Sequence, residues 1–187
     1  MSNERHAGDD EVCYRSITSV VLGAAPELTY PVMVSDGLGG EPRSYIAVWD
    51  TGSTDTVVTR RVAEELSLED LGEEEFTCVA GVGRFQTHIA SLEFKGGMRI
   101  DSITVGEFVS CGHGYDVIIG MDVIGMGEFA VSSLNGLTTF SFRLPAKEHA
   151  DFTKKFDEEE YLERLLKAAE ASSLGDVESA GSVVPSL

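Results

Sequence analysis

Tyr45-Ile46-Ala47-Val48-Trp49-Asp50-Thr51-Gly52-Ser53-Thr54-Asp55-Thr56-Val57-Val58 is the run whose reading decides the fold. Tyr45 to Trp49 is apolar and predicts a buried strand, which stops at a carboxylate followed by Thr-Gly-Ser. A strand that ends on Asp at a tight turn presents an ionisable group where a sheet opens to solvent. Thr51 and Ser53 bring hydroxyls able to bond that carboxylate or the turn backbone. Gly52 brings backbone freedom next to it. Asp-Thr-Gly alone would read as an ordinary Asx-type turn. Here apolar sequence resumes at Thr56-Val57-Val58, so the turn is embedded in core.

Some seventy residues later the chain reads Tyr115-Asp116-Val117-Ile118-Ile119-Gly120-Met121-Asp122-Val123-Ile124, a second apolar strand ending at glycine and leading into a short helix. Between the two lies Ala80-Gly81-Val82-Gly83-Arg84-Phe85. Together these stretches resemble the retropepsin-like aspartic proteases, in particular a single-domain, bacterial-type member. In that family an apolar strand enters Asp-Thr/Ser-Gly-Ala/Ser, a Gly-rich flap follows, and a second apolar strand ends as Ile-Ile/Leu-Gly before a short helix. The resemblance spans about residues 15 to 144. It implies an all-β fold, a closed barrel carrying a flap hairpin, with Asp50 catalytic and Thr51, Gly52 and Ser53 in the active-site loop. It further implies Gly81, Val82 and Gly83 at the flap tip over a polypeptide substrate, and Ile118, Ile119 and Gly120 on the second buried strand at the site.

An aspartic protease needs two carboxylates sharing a proton around one water. The chain has one Asp-Thr-Gly, since neither Asp36-Gly37 nor Asp116-Val117 carries the required hydroxyl and glycine. The resemblance therefore implies a homodimer in which each chain supplies one Asp50 across a twofold axis. In the same reading Thr51 braces the two loops. The Ser53 hydroxyl donates to Asp50, so that Ser53→Ala would move the pH–rate profile upward. Viral members pair an Arg after the second strand's glycine with an acid just past the loop; here Met121 and Thr54 stand there, and Asp55 and Asp122 have no evident basic partner. The competing reading is a non-catalytic module that keeps the fold for dimerisation or peptide binding.

The remaining sequence sorts around these elements. Strands are predicted at Tyr14 to Leu22, Leu28 to Val34, Phe76 to Ala80, Phe85 to Phe94, Met98 to about Ser110, Phe129 to Ser132 and Thr138 to Arg143. Turns fall at Ser35 to Gly40, Lys95 to Gly97 and Asn135-Gly136. Thr59 to Leu66 predicts a short helix, and Ser67 to Glu75 an acidic loop. Four segments follow: a polar arm over 1–12, a protease domain over 13–145, an amphipathic helical extension over 146–171, and a disordered tail over 172–187. The extension reads as docked on its own domain or, less often, as a contact with a second chain.

With 187 residues, 42% of them hydrophobic, the chain is long enough for one domain with a real core. A net charge of -18 speaks against nucleic acid and anionic membranes as partners. No apolar run approaches a membrane span, and the opening residues are polar, so the expectation is a cytoplasmic protein. Cys13, Cys78 and Cys111 are widely spaced, and His6, His88, His113 and His149 are scattered. That argues against a disulfide framework, a metal site or any other cofactor. Cys111 and His113 are too close in sequence to form a thiol–imidazole pair readily.

Overall fold

A computed structural model describes residues 13–78, 81–109, 112 and 114–148. The chain divides into two compact units, 1–149 and 150–187. The second unit lies outside the described residues, as do the expected arm over 1–12, the extension beyond residue 148 and the tail.

The first unit is built of β1 (Arg15–Leu22), β2 (Thr29–Ser35), β3 (Arg43–Trp49), β4 (Val57–Thr59), α1 (Arg60–Leu66), β5 (Asp70–Cys78), β6 (Gly81–Phe94), β7 (Met98–Phe108), β8 (Val117–Ile119), α2 (Met121–Ile124), β9 (Glu128–Leu134) and β10 (Leu137–Leu144). Strands β2-β3-β8-β4-β7-β6 follow one another by hydrogen bonding, and β2 also pairs with β6, so six strands close into a barrel. Among the described residues, closure leaves β5 attached to β6 alone. A separate three-stranded sheet has the order β1-β10-β9. The expected all-β barrel is therefore present.

Alternation explains which faces are buried. In β10, Thr138, Phe140 and Phe142 point into the core while the residues between them do not. Trp49, the last residue of β3, is where the two sheets meet. Its ring lies 4.9 Å from that of Phe142 and 5.9 Å from that of Phe140, both on the three-stranded sheet. It stacks on Phe129 at 5.5 Å and 9° and approaches Phe94 of the barrel at 5.5 Å. The residue before the site carboxylate is thus pinned by four rings.

The β2–β3 hairpin turns on Asp36, whose Oδ1 accepts the N–H groups of Leu38 and Gly40, each at 2.9 Å. Those donors hold its carboxyl below the usual range. The helix expected from Thr59 begins at Arg60, and Thr59 caps it by accepting the Val62 N–H. Beside it, Arg60 pairs with Glu107 at 2.7 Å, and the other Glu107 oxygen lies 3.3 Å from Nε2 of the buried His88. This trio fastens the start of α1 to β6 and β7.

Two expectations need correcting. Ser67 to Glu75 is not a loop throughout: β5 begins at Asp70 and pairs with β6 from Asp70↔His88 onward. Among the described residues this strand is attached on one side only, and with Glu73, Glu74 and Glu75 in solvent that stretch shows no apolar alternation. The hairpin tip is also displaced. The last ladder pair is Cys78↔Gly81, so Gly81, Val82 and Gly83 lie on the second strand, opposite Cys78, Thr77 and Phe76. The glycines therefore lie within the ladder with β5.

Candidate active site

Asp50 follows β3 directly, and its position is set by the neighbouring parallel strand. Trp49 pairs with Ile119 in the β3–β8 register, and the Asp50 N–H donates to the Ile119 carbonyl at 3.0 Å. On the other side the Trp49 N–H donates to the Leu28 carbonyl at 2.9 Å. After the loop, β4 pairs with the opposite side of β8, Val57↔Ile118 and Val58↔Val117. Residues 50–56 therefore wrap around the end of β8, with both of their flanking strands bonded to it.

Within the loop, Asp50 Oδ1 accepts the Gly52 N–H at 2.9 Å, and the Ser53 N–H donates to the Asp50 carbonyl at 3.1 Å. The Asp50 side chain is exposed. Gly52 does not adopt a positive φ. What it contributes is room, because a Cβ there would stand 3.2 Å from Asp50 Oδ1. The Ser53 hydroxyl does not reach Asp50. It donates to the Asp55 carbonyl at 2.8 Å, overturning the expected donation to the carboxylate. Ser53 in this chain shapes the loop.

The second strand locks the loop through groups that sequence reasoning passed over. Thr56 is fully buried. Its Oγ1 donates to Asp122 Oδ1 at 2.7 Å and accepts the Gly120 N–H at 3.1 Å, while its N–H donates to Asp122 Oδ2 at 2.9 Å. The N–H groups of Met121 and Asp122 donate to the Ser53 and Thr54 carbonyls at 2.9 and 3.0 Å. Gly120 is obligatory by contact: a Cβ there would lie 2.5 Å from the backbone C and O of Asp55. The partners of Asp122 are hydroxyl and amide donors, and Asp55 accepts from the Thr54 hydroxyl at 2.7 Å. That replaces the cation sought in the sequence. Asp122 two residues after glycine, facing a threonine past the loop, was the available signal.

The entry to β8 is clasped as well. Arg61 Nη2 meets Asp116 at 2.6 Å and Nη1 meets Glu65 at 3.0 Å, with the guanidinium 5.6 Å from the Tyr45 ring centre. The Tyr45 hydroxyl donates to Glu65 at 2.9 Å. Burial first, then the Glu65 bond and charge, push the Tyr45 phenol up to about 12. The Tyr45 bond, with Arg61, holds Glu65 below its ordinary range.

Asp50 and Thr51 border a cleft of about 470 Å³ whose apolar wall includes Leu28, Val48, Ile118 and Val131. Of the residues expected on the second buried strand at the site, Ile118 lines this cleft and Ile119 is fully buried in the core, since neighbours on a strand face opposite ways. The sequence reading expected a strand at Phe129 to Ser132 but did not foresee that β9 or Ala24 to Leu28 would line the cleft. Chemically, the site offers an accessible carboxylate at the rim of a cleft lined by both apolar and polar residues, on a loop whose backbone is fixed from both sides. Among the described residues no group of three or more His, Cys, Asp and Glu could hold a metal ion. No described helix is long and apolar enough to cross a membrane.

No protein-family model matches the sequence, and no curated protein matches it. Among solved structures, the chain is similar to a retropepsin-like aspartic protease from Rickettsia conorii, at 11% identity and a TM-score of 0.46, covering 70% of this chain and 95% of that one. It is also similar to the EIAV protease complexed with the inhibitor HBY-793, at 17% identity and a TM-score of 0.41 over 53% and 86% of the two chains. A third is the retroviral protease-like domain of Ddi1 from Leishmania major, at 17% identity and a TM-score of 0.39 over 62% and 94%.

Proposed function

We propose that the chain is an aspartic endopeptidase active as a homodimer, with one Asp50 from each copy. The observation that carries this reading is the placement of Asp50. It is an exposed carboxylate at the rim of a cleft with apolar wall residues, held by backbone bonds to β8 in a loop that the Thr56–Asp122–Gly120 bonds fix. Two such carboxylates facing each other cannot both ionise cheaply, so the pair keeps one proton. The ionised member takes a proton from a water lying between them while the neutral member donates to the scissile carbonyl oxygen. The tetrahedral intermediate then collapses as a proton passes to the leaving amine. Thr51 is the residue proposed to brace one loop against the other.

The substrate is an extended polypeptide laid in the cleft, its apolar side chains against Val48 and Ile118, with the β5–β6 hairpin bearing Gly81, Val82 and Gly83 closing over it. Hydrolysis of casein, blocked by pepstatin and abolished by Asp50→Asn in a protein that still folds, is the expected result. Full turnover by pure Asp50→Asn protein would sink the assignment. Peptide binding without any hydrolysis by the wild type would favour the non-catalytic module instead.

A further inference from the structure

The cleft beside Asp50 carries a second carboxylate. Among the described residues that line it, Glu27 and Asp50 are charged and none is basic. Glu27 belongs to the stretch between β1 and β2, which is tied down at both ends. Thr138, buried on β10, accepts the Ala25 N–H at 3.2 Å with the same hydroxyl that donates to the Gly23 carbonyl at 2.7 Å. At the other end the Leu28 carbonyl accepts the Trp49 N–H at 2.9 Å. Pro26 fixes a further backbone angle between the two ties. Glu27 precedes Leu28, and Asp50 follows Trp49. Since β2 and β3 run antiparallel, both acids lie beyond the same side of that bond. Glu27 is exposed, and among the described residues no ion pair engages it.

We propose that Glu27 selects the substrate: the chain takes cationic polypeptides, with a lysine or arginine close to the scissile bond whose charge meets the Glu27 carboxylate. This rests on the protease reading and narrows it. The backbone sets the reach. Directly opposed residues of paired strands stand about 5 Å apart, and Glu27 and Asp50 each lie one residue from such a pair. An extended substrate advances about 3.3 Å per residue, so about three residues to either side of the bond bring a long basic side chain within range. Apolar side chains keep the wall at Val48 and Ile118, and the cation lies outside them. A carboxylate on a fixed loop, with no internal ion pair to give up, offers its charge at little cost of rearrangement. The net charge of -18 draws the same peptides at longer range. The two effects are separable. The general field acts on a positive charge anywhere in the peptide, whereas Glu27 acts on one at a particular position.

Peptides that share an apolar pair at the scissile bond, with lysine, norleucine or glutamate at each nearby position on either side, test this on the full-length protein. Wild type is expected to favour lysine over norleucine in kcat/KM by about fivefold at one such position or more, the worth of an exposed ion pair. Glu27→Gln should remove that preference, and Glu27→Lys should turn it towards glutamate. Glu41→Gln deletes the same charge from the exposed turn between β2 and β3 and should keep the preference. Binding of the same peptides to Asp50→Asn protein, read by fluorescence anisotropy, should rank them in the same order. The ranking should vanish when Glu27→Gln is added. Hydrolysis with no positional lysine preference, or with one that survives Glu27→Gln, overturns the inference and leaves the protease reading standing. Glu27-dependent binding of lysine peptides by a protein that never hydrolyses them supports the inference and sinks the protease. Absence of both binding and hydrolysis overturns the two together.

Discussion

Thr56 is an uncharged residue on which much of the site loop depends. Its hydroxyl satisfies the buried Gly120 N–H and one oxygen of Asp122 at once. Thr56→Val keeps the shape and removes both bonds, so the unfolding free energy should fall by about 1–3 kcal/mol, read from urea titrations. Thr56→Ser should recover most of it. Gly120→Ala drives a methyl into the Asp55 backbone and should cost about as much as other overpacking changes, roughly 1–3 kcal/mol, with a larger loss of hydrolysis because the loop itself moves. Since the Ser53 hydroxyl goes to the Asp55 carbonyl, Ser53→Ala should leave the limbs of the pH–rate profile where they are; a shift of either limb would mean that Ser53 turns to Asp50 in the active enzyme. Tyr45 makes a separate, alkaline test. Its folded pKa of about 12 lies above the ordinary phenol value of 10.0, so its contribution is complete below about pH 10 and is lost as pH rises towards 12. Wild-type urea midpoints should drop through that window more steeply than those of Tyr45→Phe. Asp50 was legible because an apolar run breaking at Asp-Thr-Gly leaves a local trace. The Thr56–Asp122 bonds were not, since they join polar residues 66 positions apart that no periodicity marks.

At the scale of elements, the three-stranded sheet is fixed to the barrel through aromatic contact at Trp49. Phe142 has no exposed surface and its ring is 4.9 Å from the indole. Phe142→Ala should lower stability by about 3–5 kcal/mol, whereas a change on the other face of the same strand, such as Ser141→Ala, should stay within about 0.5 kcal/mol. Equal effects from the two would mean that the sheet does not dock by that face. Strands with one buried face, such as β3 and β10, could be read from their apolar residues. Strand β5 could not, because its pairing with β6 is made by backbone groups that any side chain allows. The Gly81-Val82-Gly83 run misled by composition: glycines suggest a turn, yet the ladder runs through them.

For the whole molecule, a net charge of -18 makes self-repulsion a standing cost of compaction. Stability should therefore rise between about 0.01 and 0.2 M salt, as the Debye length shrinks from about 30 Å to under 10 Å. A midpoint independent of salt would mean that the acids are already paired or well separated. The order of strands in the barrel has a different kind of consequence. Asp50 is held by Ile119, and β3 gains its parallel neighbour only when Val117 to Ile119 have been made. At about 5–20 residues per second, a ribosome takes several seconds to travel from one stretch to the other. Throughout that interval the Asp-Thr-Gly segment exists as unorganised peptide. The Asp50 loop is thus among the last parts of the barrel to take shape during translation, so a half-made chain carries the acid without the scaffold that holds it.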